Sequence, residues 1–307
     1  MTSRRFSPAD LLLLTVAIIW GVNVAVVKAA LTELAPLPFN SLRFTLSALL
    51  CWAMLAASGE KLWPERADSR RILALGLLGH GLYQALFIQG TYLTSAGNTA
   101  LLLATIPVWV AAMAALTRAE ATGPLIWLGI GLSVAGIVLV TLGGSKSVTL
   151  GGDTWRGDLL LVFGTFFFAF FTLKSKDLLQ KYSPLQFTAW TMTAGAAGLT
   201  LLSLRGLAAQ NWGAVGLTGW GGLVYSATLA IAAGNYVWTN GVRKLGAART
   251  AVYNNLTPVT AMVTGSLFLD ETVTWLQATG AALIISGLYL TRRRGRAAVP
   301  EAAGKQG

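Results

Sequence analysis

DLLLLTVAIIWGVNVAVVKAALT, residues 10–32, decides the fold: between Leu11 and Leu31 its one charged residue is Lys28, near the end. At about 1.5 Å per residue, a helix of this length crosses a hydrocarbon core of roughly 30 Å. The preceding residues carry Arg4 and Arg5 like the start of a signal peptide. The apolar run is nevertheless too long for one and lacks a clear small-residue cleavage site, so it reads as a retained first span with no soluble domain before it. Comparable runs follow to the end of the chain. The ten expected spans are 10–32, 39–57, 71–93, 97–118, 124–143, 157–175, 184–204, 217–241, 247–269 and 274–291, separated by turn and charge signals such as Ala35-Pro36-Leu37-Pro38 and Ser58 to Arg71. Glycine and polar residues interrupt the third and eighth.

With 54% hydrophobic and 11% charged residues, the chain has too little polar material to cover a soluble surface. The fold class expected is an all-α integral membrane protein. Its net charge of +11 does not indicate nucleic acid, because the basic residues sit in short loops between apolar runs. Ten spans with a cytoplasmic amino terminus place 18 of the 23 Lys and Arg inside and four outside, with Arg43 within the second span. That asymmetry predicts a multi-pass protein of the inner (plasma) membrane with both termini cytoplasmic.

The halves repeat. A shift of 148 carries Asp10-Leu-Leu-Leu-Leu onto Asp158-Leu-Leu-Leu-Val, Lys28 onto Lys176 and Pro36 onto Pro184. A shift of 151 carries Gly90 onto Gly241, Pro107 onto Pro258, Glu120 onto Glu271, Gly129 onto Gly280 and Gly136 onto Gly287. The expected units are residues 1–150, 151–291 and a basic cytoplasmic tail, 292–307. Five spans per unit is an odd number, so the two repeats must cross the bilayer in opposite directions. Inverted repeats are the architecture of many secondary transporters, whose substrate site lies near the midplane between them.

Polar residues at that depth are the candidate site, because an unpartnered polar group in hydrocarbon costs several kcal/mol. His80, Tyr83, Gln84 and Phe87 share one face of the third span, and His80, the sole histidine, lies about nine residues, roughly 14 Å, from the cytoplasmic end. Trp20 and Asn23 share a face of the first span, and Trp109 follows Pro107 at mid-depth. Asn235 and Trp238 in the eighth span and Tyr253 and Asn254 in the ninth complete the predicted substrate-binding set. Aromatic rings suit an apolar side chain, while Asn, Gln and Tyr suit an amino acid's amino and carboxylate groups. Core packing is the competing reading for each of these residues. Pro107 and Pro258 each delete a backbone donor, which predicts a kink and a candidate gating point in each repeat. The glycines of LGIGLSVAGIVLV (128–140) and ATGAALIISG (278–287) are read as helix-packing positions. Glu120 and Glu271 are expected to cap the helices that follow them.

Together, Trp20-Gly21, the intraspan prolines, Glu120 and Glu271, and the glycine-rich fifth and tenth spans resemble the drug/metabolite transporter superfamily, EamA type, over about residues 8 to 292. Within it the chain is most similar to the YddG-like exporters of aromatic amino acids. The resemblance implies a secondary transporter exporting small neutral amphipathic metabolites, aromatic and other apolar amino acids foremost. Its expected partners are that small molecule and the lipid bilayer, and it is read as a monomer.

Several chemistries are disfavoured. All twelve acidic residues fall at span ends, in loops or in the tail, leaving no buried carboxylate to bind a cationic drug or exchange it for protons. One shallow arginine, Arg43, about four residues inside its span, is a poor clamp for phosphorylated sugars. Cys51 stands alone, so neither a disulfide nor a cysteine metal cage is expected. GGSKS at 143–147 lacks the spacing of a phosphate loop, and no nucleophile, base and orienting acid occur together, so neither a cofactor nor catalysis is expected. The alternative of a different class is a non-transport membrane protein, but no docking domain is visible.

Overall fold

The structure, a computed structural model, describes residues 7–120, 123–143, 154–260, 263 and 273–293. Glu271 and residues 294–307 of the tail lie outside the described residues. Among the described residues every regular element is helical, and they form ten rods. These are α1 (Pro8–Ala30), α2 (Pro36–Ala57), α3 (Arg66–Leu93), α4 (Ala96–Leu103, then Ile106–Leu116), α5 (Pro124–Leu142), α6 (Trp155–Lys181) and α7 (Pro184–Ala209). α8 runs through Leu217–Tyr225, Ser226–Ala233 and Gly234–Leu245, α9 through Ala247–Val252, Tyr253–Leu256 and 257–260, and α10 is Trp275–Arg293. The chain is thus an all-helical, ten-helix membrane protein.

Local chemistry sets where the rods begin. Ser7 and Asp10 form a reciprocal capping box, with Ser7 N–H to Asp10 at 2.9 Å and Asp10 N–H to Ser7 Oγ at 3.3 Å. Pro36 and Pro184 stand in the first turns of α2 and α7, where a missing N–H is harmless. α2 therefore starts at Pro36 rather than at residue 39, which sinks Arg43 about a turn deeper than the sequence suggests.

Irregularities recur at repeat-related positions. α3 widens into a π-helix over Leu77–Leu82, and α8 does so over Ser226–Ala233, in the two spans whose glycine and polar residues interrupt the apolar pattern. α4 breaks at Ala104–Thr105, and α9 tightens to a 3₁₀ turn at Tyr253–Leu256. Each break falls one turn before the proline, so Pro107 and Pro258 open new helical segments instead of bending continuous ones.

α5 and α10 carry the symmetry most plainly. A Cβ on Gly129 would come 2.6 Å from the Gly287 carbonyl, and one on Gly136 would come 2.5 Å from the Gly280 carbonyl. Each glycine therefore abuts the repeat equivalent of the other, as across a two-fold axis, and the order along the pair makes the helices antiparallel. α2 and α7 pair in the same sense through Ser41–Thr200 (2.8 Å) and Trp52 Nε1 to Thr193 (2.8 Å).

Candidate functional site

A cavity of about 600 Å³, its mouth included, lies at mid-depth where the two halves meet. Trp20, Asn23 and Val24 line it from α1, Arg43 from α2, and Tyr83, Gln84 and Phe87 from α3. Leu103 and Ile106 flank the α4 break, Phe168 comes from α6, Ala230, Ile231 and Asn235 from α8, and Asn254 and Thr257 from α9.

The helix irregularities build its polar surface. A π-segment releases carbonyls from the helical ladder, and neighbouring side chains take them up: Trp20 Nε1 donates to the Ala230 carbonyl (2.7 Å) and Ser47 Oγ to that of Ala227 (2.7 Å). Ser226 Oγ donates to Asn23 Oδ1 at 2.6 Å. Pro107 cannot bond the carbonyl four residues back, that of Leu103, and Asn254 Nδ2 caps it instead at 3.1 Å. Asn254 is the repeat equivalent of Leu103, so this bond lies across the pseudo-two-fold relation.

The cavity gathers six predicted residues, Trp20, Asn23, Tyr83, Gln84, Asn235 and Asn254. Four others sit behind or beside it. Trp238 is buried 5.1 Å from Trp20 and 5.5 Å from Phe168, ring centre to ring centre, as a floor. Tyr253 is buried and donates its hydroxyl to Asp10. Trp109 packs edge-on against Phe166 at 5.6 Å. His80 lies between the rings of Phe44 (5.9 Å) and Phe171 (4.7 Å), its Nε2 buried without a hydrogen-bond partner. The π-turn and Gly195, whose missing side chain would overlap His80, bring α3 and α7 together there. The imidazole is absent from the cavity lining.

The sequence reading passed over Arg43 as shallow and did not reach Phe168, Leu103 or Thr257. The 148 shift that carries Trp20 onto Phe168 was the available signal for Phe168, and Arg43's position within an apolar span the signal for Arg43.

At the end of the bundle that holds the start of α1, here the basic face, Glu120 ties three elements together. Its carboxylate accepts from the N–H groups of Ala247 (2.9 Å) and Ala248 (3.1 Å) and pairs with Lys176 Nζ (2.9 Å). The acid therefore caps α9, across the repeat boundary, and not the helix that follows it, because inversion sets the end of α4 beside the start of α9. Lys176 is held by this pair. At the opposite end Lys28 Nζ donates to the carbonyls of Thr91 and of Thr94, the latter at 2.6 Å. Asp10 and Asp158 stand at span ends but are buried, against the expectation of no buried carboxylate, because polar partners take up their charge there: Asp158 accepts from Thr94 Oγ1 (2.6 Å) and Asn98 Nδ2 (3.0 Å).

The EamA-like transporter family matches residues 7–142 and again residues 155–293. The chain belongs to that family. This EamA-like protein is also 26% identical to the "Uncharacterized transporter YyaM" of Bacillus subtilis, over 91% of each chain. It is 26% identical to the "Uncharacterized inner membrane transporter YedA" of Escherichia coli K12, over 94% of this chain and 92% of that one. A solved crystal structure shares the fold with a TM-score of 0.77 at 17% identity, covering 94% of this chain and 98% of the other. The family is one of membrane transporters, and nothing in its name implies catalysis.

Proposed function

We propose that this EamA-like protein is a secondary transporter of small amphipathic metabolites, aromatic and other apolar amino acids foremost. It exports them across the inner membrane by exposing the mid-depth cavity alternately to either face, with both termini in the cytoplasm. The observation that carries this reading is a cavity shared by both repeats, in which Trp20, Tyr83, Phe87 and Phe168 supply an apolar surface beside the amides of Asn23, Gln84, Asn235 and Asn254. The Glu120–Lys176–α9 contact supports a conformation closed at the basic face, and the breaks before Pro107 and Pro258 are natural pivots. His80, enclosed by rings away from the cavity, supports movement that needs no proton gradient.

The test is transport by the purified protein in liposomes loaded with tryptophan, phenylalanine, threonine or a cationic dye, with and without a proton gradient and against protein-free vesicles. Selective efflux of the aromatic and apolar amino acids without a gradient is the expected result. Movement of the dye alone would overturn the substrate assignment.

A further inference from the structure

Arg43 is a guanidinium inside the membrane-spanning part of the bundle with no acid paired to it among the described residues. The side chain is 1% exposed, yet it belongs to the cavity lining. Its Nε donates to Asn40 Oδ1 at 2.7 Å and its Nη2 to Gln84 Oε1 at 3.0 Å, both neutral amides. The rings of Phe39 and Phe44 lie 5.1 and 5.9 Å from the guanidinium carbon. Nη1 is buried and has no hydrogen-bond partner. Among the described residues no carboxylate pairs with Arg43 within 4.0 Å, and no cavity-lining residue is Asp or Glu. A guanidinium stays protonated, so the cavity carries one positive charge. An intramembrane charge left without a partner costs several kcal/mol, and a fold retains it where the partner arrives with the ligand.

We propose that Arg43 receives the carboxylate of the transported molecule, and that the site selects monocarboxylates with an apolar or aromatic body whether or not they carry an ammonium group. This rests on the proposed transport function but sharpens its substrate class. The carboxylate meets a charge-assisted donor fork, whereas an ammonium group meets only neutral amides, carbonyls and ring faces. Asn40 and Gln84 hold the fork in place and leave Nη1 for the ligand. The aromatic body then lies against Tyr83, Phe87 and Trp20. A free amine with the same body brings a second positive charge to Arg43 and is rejected.

The experiment measures ligand-induced thermal stabilisation and affinity of the purified full-length protein in detergent, using 3-phenylpropanoate, hexanoate, phenylalanine, 3-phenylpropanamide and 2-phenylethylamine. The expected order puts 3-phenylpropanoate at or above phenylalanine, with the amide weaker by about 10- to 100-fold, the span of one lost charge-assisted hydrogen-bond pair. The amine shows no binding. Arg43→Met removes the advantage of acid over amide, and Arg43→Lys, which keeps the charge but not the fork, retains part of it. The acid-to-amide comparison on the unmodified protein needs no variant, so misfolding of Arg43→Met does not shield the proposal. Equal binding of acid and amide, retained preference in Arg43→Met, or no stabilisation by any carboxylate would each overturn it. Arg43-dependent binding of 3-phenylpropanoate without transport of phenylalanine would instead overturn the amino-acid assignment and leave the carboxylate site standing.

Discussion

Replacing Glu120 with Gln should loosen the basic face. The carboxylate of Glu120 is 11% exposed and holds the first two N–H groups of α9 at 2.9 and 3.1 Å together with Lys176 at 2.9 Å. Lys176 is 33% exposed, so solvent screening limits the ion pair to about 1 kcal/mol. The amide of Gln retains one neutral acceptor and turns a donor toward the second N–H, a loss of about 1–2 kcal/mol in charge-assisted bonding. The total, about 2–3 kcal/mol, corresponds to roughly 30- to 150-fold greater exposure of the α9 start. Cys51 is the sole thiol and is buried, so Cys51→Ala supplies a background in which Ala251→Cys, on a fully buried α9 position, reports opening. Labelling by a membrane-impermeant maleimide from the basic face should accelerate by that factor in Glu120→Gln and by only a few-fold in Lys176→Met. An unchanged rate in Glu120→Gln, with melting intact, would show that the contact does not hold this face shut.

Gly136→Val should lower the melting temperature in detergent by a few degrees, because its Cβ would meet the Gly280 backbone carbonyl at 2.5 Å and overpacking costs about 1–3 kcal/mol; an unchanged melt would mean that α5 and α10 separate freely. Asn254→Leu should destabilise by about 1–3 kcal/mol, since the Leu103 carbonyl freed by Pro107 loses its donor, and an unfolding measurement that finds no loss would refute that role. His80→Leu should leave stability nearly unchanged and transport intact, because Nε2 already lacks a partner; a properly folded variant that fails to transport would return the imidazole to the mechanism. At the basic face, the hydrogen bonds from Lys181 and Tyr182 hold the Asp68 carboxyl below its ordinary range. The unfolded chain therefore binds a proton more readily, so this contribution is complete above the usual carboxylate range and fades as pH falls through and below it. Asp68→Asn should flatten the acid limb of a melting-versus-pH profile, and an unaltered limb would count against it.

The fold was legible because it rests on chemistry that sequence displays: apolar runs long enough to span, prolines at rod starts and an ungapped repeat in the later spans. Pro107 and Pro258 also marked real breaks, although the break precedes each proline by a turn, since the strain is relieved where the carbonyl is freed. The cavity was half legible. Gln84 and Asn235 were visible as polar residues in apolar spans, but periodicity could not separate Trp20, partly buried in the lining, from Trp238, fully buried in the floor, because only the neighbouring helix decides. His80 drew attention as the sole histidine, yet its position depends on the π-turn, which shifts the helical phase by an extra residue in a way no 3.6-residue period anticipates. Glu120 was misassigned for a similar reason: the N–H groups it caps are contributed by the other repeat.

The repeat also sets Arg43 apart from the rest of the lining. Many lining positions come in repeat-related pairs, Trp20 with Phe168, Gln84 with Asn235, Leu103 with Asn254 and Ile106 with Thr257, so shape and aromatic surface are similar from either direction. A cavity of this kind can pass from one closed end to the other with little change in what the ligand's body touches, as alternating exposure requires. Arg43 breaks the pairing, because the 148 shift places it on Thr191, a buried residue that hydrogen-bonds the carbonyls of its own helix. Symmetric contacts cannot orient a ligand, and one guanidinium on one side can. In the proposed transport cycle the two-fold scaffold would supply the movement, and the departure from it at Arg43 the polarity of binding.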